Sequence, residues 1–361
     1  DLRQAVTIAT AHRIVDISRK SPNPRPLGMM LDARSFANAI VGLHATGGST
    51  NHSLHLPAIA AAAGFQLTWQ DFAELSKITP LLARIYPNGE ADINHFHAAG
   101  GMGFIIGELL EGGLLDGTAH TVWGDRLCDY ATEPWLETSS SGDELRFRKA
   151  ATQSLDRNVL RPVRDPYAPQ GGLQMLDGNL GKAVIKISAV AEKHHRIRAA
   201  AMVFASEKQV HQAVKEGRLN CDCVIVVRGQ GPRANGMPEL HGLTPILSNL
   251  LDAGHQIALV TDGRMSGASG RVPSAIHLSP EAALGGAIGL LQDGDIITLD
   301  ARLGVLKTEA DLTGRTPFQI DKNKACSGFG RALFAPLRSQ AAPAEAGGGL
   351  NVEWGSKQDG S

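Results

Sequence analysis

The segment ALVTDGRMSGASG, residues 258–270, combines the residue types that a proton-transfer site needs. Its apolar start predicts a buried strand that delivers Asp262, Arg264 and Ser266 into a glycine-rich turn. Glycines allow close backbone approach, and free N–H groups in such a turn can hold an anion. A serine there can act as a nucleophile, or as a base if donors and a cation stabilise its alkoxide. The same residues also fit a solvated turn with a structural aspartate and arginine.

A second segment, RGQGPRANGMPELHGL at residues 228–243, places an isolated carboxylate, Glu239, in a loop rich in glycine and proline. Mg2+ takes oxygen ligands, and a loop carboxylate that converges with groups from elsewhere is a usual source of them. Glu239 is therefore a candidate metal ligand. It fits equally well an acidic residue that precedes a helix predicted over residues 243–252.

A third segment, TGGSTNHSLHL at residues 46–56, opens a predicted helix with two glycines followed by Ser49, Thr50 and Asn51. Backbone N–H groups and hydroxyls at such a helix start can bind a carboxylate or a phosphate. We take these three residues as candidates for substrate binding. An ordinary N-terminal cap of the helix is the alternative.

Other histidine and cysteine pairs are interpreted as structural residues. The histidine pairs lack a glutamate in metalloprotease spacing, and the cysteines are too close together for a zinc knuckle. The pairs are His52 and His55, His95 and His97, and Cys221 and Cys223.

The elements that must position these segments fall into two parts, with a boundary predicted near residue 170. Residues 32–150 have apolar residues at helical spacing, whereas the later part consists of short apolar or β-branched runs with few helices. This pattern predicts an α/β chain: a helix-rich remainder of an α/β domain at 1–170, followed by a β-barrel-like domain with appended helices at 171–340. Alanine, glycine and serine at 341–361 predict a flexible tail.

The composition is that of a folded protein. The chain has 361 residues, 43% hydrophobic and 20% charged, with a formal net charge of -1. Roughly 100 to 200 residues make a domain, so two domains fit. The high hydrophobic fraction and the low net charge exclude a disordered chain, and the low net charge excludes a nucleic-acid binder that relies on bulk charge. No apolar stretch approaches the roughly 20 residues of a membrane span, so no membrane partner is expected.

The cysteine content suggests a cytoplasmic protein, and the first residues suggest that this protein is longer than the chain. Four cysteines do not make a disulfide framework at this length, and no export segment opens the sequence, so a reducing cytoplasm is expected. Residues 1–20 have a helical apolar stripe without a preceding start signal. We therefore expect the chain to be the back part of a longer protein.

The three segments, in this order, resemble the family of dihydroxy-acid and 6-phosphogluconate dehydratases, which are iron–sulfur lyases that remove water from sugar acids and related hydroxy acids. The resemblance covers residues 39–338. Further stretches resemble the 6-phosphogluconate branch: STNHSLHL at 49–56, RIYPNGEADINHF at 84–96, EPWL at 133–136, GNLGKAVIK at 178–186 and SGASGRVPSAIH at 266–277.

The resemblance implies an α/β domain that carries the cluster, followed by a β-barrel domain that supplies the base. It implies Ser266 as the catalytic serine, Glu239 as a ligand of Mg2+, and Arg264 as a residue that steadies the anionic substrate. The family's Cys-Asp-Lys block and cluster cysteines are expected upstream of Asp1. No cluster ligand is therefore assigned to the cysteines of this chain, Cys128, Cys221, Cys223 and Cys326.

The implied reaction is dehydration of 6-phosphogluconate, a small sugar-acid phosphate, by a homodimer. Ser266 takes the C2 proton, a Lewis-acidic iron aids loss of the C3 hydroxyl, and the enol tautomerises to the 2-keto-3-deoxy product. Two alternatives stay open: a dehydratase of a non-phosphorylated aldonic or branched-chain acid, and a non-catalytic fragment or binding module. We expect this chain to be inactive by itself.

Overall fold

The computed structural model describes residues 1–86, 88–140, 142–265, 270–321 and 327–350. The chain divides into two compact units. Unit 1 comprises Asp1–Gly48 and Leu75–Gly171, and unit 2 comprises Ser49–Glu74 and Gly172–Ser361. Residues 49–74, which the sequence-based division places in the first domain, are therefore counted with unit 2.

The described helices are numbered in chain order. They are α1 (Leu2–Asp16), α2 (Leu27–Met30), α3 (Ala33–Thr46), α4 (His52–Ala62), α5 (Trp69–Ile78), α6 (Ile93–Ala98), α7 (Gly101–Glu111), α8 (Glu207–Lys215), α9 (Pro232–Asn235), α10 (Leu243–Asp252) and α11 (Phe329–Ser339). Short 3-10 helices occur at Leu127–Tyr130, Glu192–His194, Ala282–Leu284, Ala287–Leu290 and Ala344–Ala346.

The described strands form two sheets. They are β1 (Thr132–Ser139), β2 (Gly142–Lys149), β3 (Leu173–Leu176), β4 (Lys182–Lys186), β5 (Arg196–Phe204), β6 (Cys223–Val227), β7 (Ile257–Thr261), β8 (Ser274–Ser279), β9 (Ile296–Asp300) and β10 (Val305–Thr308). The first two form a hairpin in unit 1, and the other eight form one sheet in unit 2.

The helices of unit 1 surround a small apolar core. Helix α3 begins with a capping box between Asp32 and Ser35, which satisfies backbone N–H groups that no helical carbonyl can reach. Its apolar residues Val41 and Ala45 pack on buried residues of α6, α7 and the segments on either side of these helices: Leu82, Ala83, Phe96, Ala99, Phe104, Ile105, Leu109, Val159 and Leu160. Burial of this stripe holds the unit together.

The helical spacing of residues 32–150 runs without a break through residues 93–111, but the structure has two helices there, α6 and α7. Gly100 separates them with a φ of 132°. This backbone conformation lies outside the helical region and is accessible mainly to glycine. The apolar spacing continues across the break, which is why periodicity alone does not show it.

The helical interpretation of residues 32–150 also fails at its end, where β1 and β2 form an antiparallel hairpin. The hairpin is mostly exposed, and cross-strand ion pairs join Arg146 to Glu137 and Arg148 to Glu133. A strand pair with neither face buried lacks the alternation of apolar and polar residues that identifies strands in a sequence.

The sheet of unit 2 is a nearly closed barrel, as the sequence predicts. The strand order is β10-β9-β5-β6-β7-β8-β4-β3, and the pairs among β5, β6, β7 and β8 are parallel. A bridge between Asp177, just after β3, and Val305 of β10 joins the two edges. The apolar residues facing inward from these strands form the core of the unit. Closure leaves little free strand edge.

The central strands β6 and β7 are buried along their whole length. Their sequences, CVIVV and IALVT, are continuous apolar runs, as expected for parallel strands covered on both faces. Helix α10 covers part of this layer with the buried residues Leu243, Leu247, Leu250 and Leu251, which recur at helical spacing.

The end of the described chain packs on unit 2. Ala341, Ala342 and Ala344 are buried, and Ala341 bridges to Leu350. Part of the segment 341–361, for which the sequence predicts a flexible tail, therefore contacts the rest of unit 2 through these alanines. The described part of the chain has no helix of the length and apolarity that a bilayer crossing demands.

Closure of the barrel depends on a glycine at position 178. A Cβ atom there would overlap the carbonyl oxygen of Leu306 in β10. We predict that Gly178→Ala lowers the free energy of unfolding by about 1 to 3 kcal/mol, measured by urea denaturation, because strand β10 must move. Gly330→Ala is the control, since a Cβ meets nothing within 4 Å there. Equal stability of both variants would contradict a tight closure at Gly178.

Candidate active site

The loops that follow the parallel strands of unit 2 contain two of the three predicted segments. Residues 228–243 follow β6, and residues 262–273 lie between β7 and β8. Because β6 and β7 are parallel neighbours, both loops leave the sheet at the carboxyl ends of its strands. Ligand sites of parallel sheets lie at these strand ends.

The structure brings the predicted residues Glu239 and Arg264 together. Their backbones form a parallel bridge, and the Leu240 N–H donates to the Arg264 carbonyl over 3.0 Å. The Arg264 Nε donates to the Met237 carbonyl at 2.8 Å, and Nη1 lies 3.6 Å from Glu239 Oε2. Both side chains keep part of their surface exposed, 32% for Arg264 and 24% for Glu239. A cation and a carboxylate are thus held side by side with access to a ligand.

Asp262, the residue after β7, forms the buried hydrogen bonds that hold these loops together. Its carboxylate accepts the N–H groups of Gly229 and Ala282 on Oδ2, at 3.1 and 3.0 Å, and that of Gln230 on Oδ1, at 2.8 Å. Its side chain is fully buried. Burial raises the pKa of Asp262, and these three N–H donors oppose the shift. One side chain therefore ties together the loops after β6, β7 and β8.

Glu281, which follows β8, holds the loop after β6 in the same way. Its carboxylate accepts the N–H groups of Arg233 and Ala234 at 2.8 and 3.0 Å. Burial raises the pKa of Glu281, and the nearby Asp262 adds to the rise. Short helix α9 is therefore fixed at its start by a carboxylate from another loop.

Glycines let these loops approach one another. A Cβ on Gly263 would lie 2.7 Å from Cβ of Gln230, too close for any side chain. A Cβ on Gly231 would overlap the side chain of Glu281. The glycines of both segments thus permit the close backbone approach that the sequence predicts.

The third predicted segment lies in the same unit. Thr50 is buried, and its Oγ1 donates to the Met265 carbonyl at 3.4 Å. Asn51 occupies the position before α4 but makes no side-chain cap, and its Oδ1 is buried without a partner among the described residues. The Ser49 Oγ accepts the Asn51 N–H at 3.3 Å. Thr50 therefore reaches the loop after β7, next to Arg264.

His277 in β8 is a site residue that the sequence analysis did not identify. It is fully buried and has a φ of 59°, and its backbone N–H donates to the Gly263 carbonyl at 2.8 Å. Its Nδ1 lies 3.2 Å from Ser53 Oγ. Burial, together with smaller effects of the nearby Arg264 and His55, lowers the pKa of His277 to about 3. No residue spacing marks this histidine, so only the fold reveals it.

The predicted catalytic residue, Ser266, lies outside the described residues, as does Cys326. Ser266 follows Met265 directly in the chain, and the backbone up to Met265 is held by Thr50 and by the bridge between Arg264 and Glu239. The role of Ser266 stays a prediction.

Two family models match the chain. The model described as "Dihydroxy-acid/6-phosphogluconate dehydratase C-terminal" matches residues 158–348, and its N-terminal counterpart matches residues 1–130. The chain belongs to the dihydroxy-acid/6-phosphogluconate dehydratase family. The resemblance seen in the sequence is therefore confirmed.

Relatives within this family share much of the chain. The phosphogluconate dehydratase of Rhizobium meliloti (strain 1021) is 51% identical over 97% of this chain and 58% of its own length. That of Escherichia coli (strain K12) is 49% identical over 96% of this chain and 57% of its own length. The dihydroxy-acid dehydratase of Moorella thermoacetica is 40% identical over 79% of this chain and 48% of its own length. The chain thus spans about half the length of these relatives, from 48% to 58%.

The described residues do not fit the iron–sulfur cluster that the family resemblance implies. They contain no group of three or more His, Cys, Asp or Glu side chains that could hold a metal ion. Cys223 is buried in β6, and burial raises its pKa to about 12, so it favours the thiol form. Glu239 is a single candidate oxygen ligand for Mg2+, and its neighbour is a guanidinium rather than a second carboxylate.

The burial of neutral His277 predicts a pH dependence of stability. Its pKa is about 3 in the folded protein and near 6.5 when unfolded, so the unfolded state binds more protons between these values. This contribution to stability is present above pH 6.5 and is lost as the pH falls toward 3. We predict that His277→Asn, which tolerates a positive φ, loses less unfolding free energy over this range than the wild type.

Urea denaturation at a series of pH values measures this difference. His12→Asn is the control, because this histidine is exposed on α1. Its curve is expected to parallel that of the wild type. Parallel curves for His277→Asn and the wild type would show that His277 is not held neutral in the folded protein.

Proposed function

We propose that the protein to which this chain belongs is a hydro-lyase that converts 6-phospho-D-gluconate to 2-dehydro-3-deoxy-6-phospho-D-gluconate, a step of the Entner–Doudoroff pathway. The observation that carries this proposal is the level of identity with phosphogluconate dehydratases along almost the whole chain. Identity with the dihydroxy-acid dehydratase of the same family is lower and covers less of the chain.

The reaction removes a proton from C2 and a hydroxide from C3, and the resulting enol tautomerises to the ketone. The C2 proton is weakly acidic, so a base must lie beside it in a setting that stabilises negative charge. We assign this base to Ser266, whose alkoxide would take the proton. The hydroxyl by itself is a poor base, so its surroundings must supply the stabilisation.

Arg264 supports this assignment by its position. It is two residues before Ser266, and its Nε–H bond to the Met237 carbonyl fixes the direction of the guanidinium. A fixed guanidinium stabilises an anion without a further ordering cost when the charge develops. We propose that Arg264, with Ser49, Thr50 and Asn51 nearby in the same unit, steadies the carboxylate end of the substrate.

The buried carboxylates support the same assignment less directly. Asp262 holds the start of the loop that carries Ser266 against the loop that carries Glu239. A displacement of about 1 Å in such a loop can cost on the order of 100-fold in rate. We therefore propose that Asp262 is a positioning residue for the loop.

An iron–sulfur cluster and Mg2+ are proposed as cofactors on the family resemblance alone. Glu239 is the only residue of this chain that we assign to the metal, and no cluster ligand is assigned. No step of the mechanism above passes through either group. A homodimer and a cytoplasmic location likewise stay proposals.

A dehydratase of a non-phosphorylated acid is the second candidate, because a dihydroxy-acid dehydratase is also a relative. Steady-state assays of the intact protein with 6-phosphogluconate and gluconate separate the two. Turnover of 6-phosphogluconate at a much higher kcat/KM supports the first. Equal turnover of both acids, or turnover of a branched-chain dihydroxy acid, supports the second.

The role of Ser266 predicts a separation of catalysis from binding. In the intact protein we expect Ser266→Ala to abolish formation of the keto product, measured by a coupled assay, while the Kd for 6-phosphogluconate changes less than about threefold. Loss of the base removes a transition-state interaction without removing the substrate's binding groups.

Ser339→Ala is the control, since this serine is exposed at the end of α11. It is expected to retain the wild-type kcat. Substantial turnover by Ser266→Ala would remove Ser266 from the role of base, even if the protein is a dehydratase.

A further inference from the structure

Unit 2 has a pocket of about 480 Å3 beside Arg264. Its walls come from helix α4, the loop that contains α9, the loop after β7, helix α11 and residues 341–350. The pocket therefore opens next to Arg264, which is assigned to the carboxylate end of the substrate. Glu239, assigned to the metal, is not among the described residues that line it.

The ionisable side chains among the described residues that line this pocket are all basic. The basic side chains are His55, Arg264 and Arg338, and none of the described lining residues is an aspartate or glutamate. The chain as a whole has a formal net charge of -1, so this is a local concentration of positive charge. Such a concentration attracts anions, and guanidinium groups match the geometry of phosphate oxygens.

Apolar side chains complete the walls. Leu54 and Met237 are buried, whereas Phe334 and Leu337 of α11, which also line the pocket, are 56% and 47% exposed. A buried apolar wall reduces the amount of water on that side of a bound anion, which strengthens its attraction to the arginines. The pocket thus combines positive charge with one buried apolar wall and one wall that faces solvent.

Three successive glycines, Gly347, Gly348 and Gly349, form the remaining wall. A Cβ on Gly347 would lie 2.7 Å from the Ala58 backbone nitrogen, so only glycine lets this segment lie directly on α4. A Cβ on Gly349 would meet nothing within 4 Å. Position 349 can therefore accept a side chain without a clash.

We propose that this pocket binds the phosphate group of a phosphorylated sugar acid. This inference rests on the proposed function, which it deepens by assigning the end of the substrate that does not react. The carboxylate end is assigned to Arg264, and the phosphate to the space between Arg338 and residues 347–349. Arg338 and His55 are then residues that determine specificity for the phosphorylated substrate.

Isothermal titration of the 361-residue chain with 6-phosphogluconate, inorganic phosphate and gluconate tests this assignment. Arg338→Gln removes a charge from the pocket, and Gly349→Asp adds a carboxylate to it. We expect each variant to weaken binding of 6-phosphogluconate and phosphate by about tenfold or more. Binding of gluconate, which has no phosphate, is expected to stay within about threefold of the wild type.

Two matched controls isolate the charge. Gly349→Asn has the size of the aspartate without its charge, and Arg302→Gln neutralises an exposed arginine that pairs with Glu192 outside the pocket. Both are expected to bind 6-phosphogluconate like the wild type. Unchanged affinity in Arg338→Gln and Gly349→Asp would overturn the assignment, and so would a wild-type chain that binds neither phosphate ligand.

Failure of this inference can be told apart from failure of the proposed function. If the intact protein dehydrates 6-phosphogluconate but the two pocket variants keep the wild-type KM, the phosphate lies elsewhere. If the chain binds phosphate in this pocket but the intact protein does not turn over 6-phosphogluconate, the site stands and the proposed reaction is wrong.

Discussion

The candidate site depends on one buried carboxylate, that of Asp262. Its two oxygens together accept three backbone N–H groups, and the residues that donate them lie about 20 and 30 positions away in the chain. A buried carboxylate without such donors would be strongly unfavourable. These hydrogen bonds therefore make the buried position tolerable, and they also fix the loops at the edge of the sheet relative to one another.

Other features of unit 2 follow from this constraint. The loops can converge on Asp262 only because Gly263 and Gly231 have no side chains. Once they converge, the Glu239 and Arg264 backbones can form their bridge, and Thr50 can reach the Met265 carbonyl. Buried, neutral His277 then supports Gly263 from β8. The charged groups at the surface of the site thus rest on a layer of buried polar contacts.

Some of this arrangement can be predicted from the sequence, and some cannot. The apolar runs of β6 and β7 predict buried strands, and parallel strands bring their following loops to one edge, so the proximity of residues 228–243 to Arg264 is predictable. The full set of hydrogen bonds to Asp262 cannot be predicted. One donor, Ala282, follows β8, and this strand has serines at both ends and a histidine within it, so its sequence does not stand out as a strand. The hairpin at 132–149 and helix α11 were also missed, because their apolar residues are largely exposed and give no buried stripe.

Hydrogen exchange at the backbone amides of Gly229, Gln230 and Ala282 tests the role of Asp262 most directly. Asparagine at position 262 keeps one acceptor oxygen and replaces the other with an N–H donor. We predict that Asp262→Asn speeds exchange by about tenfold or more at one or more of these amides, while amides inside β6 and β7 stay protected. Unchanged exchange at all three amides would show that the carboxylate does not hold the loops together.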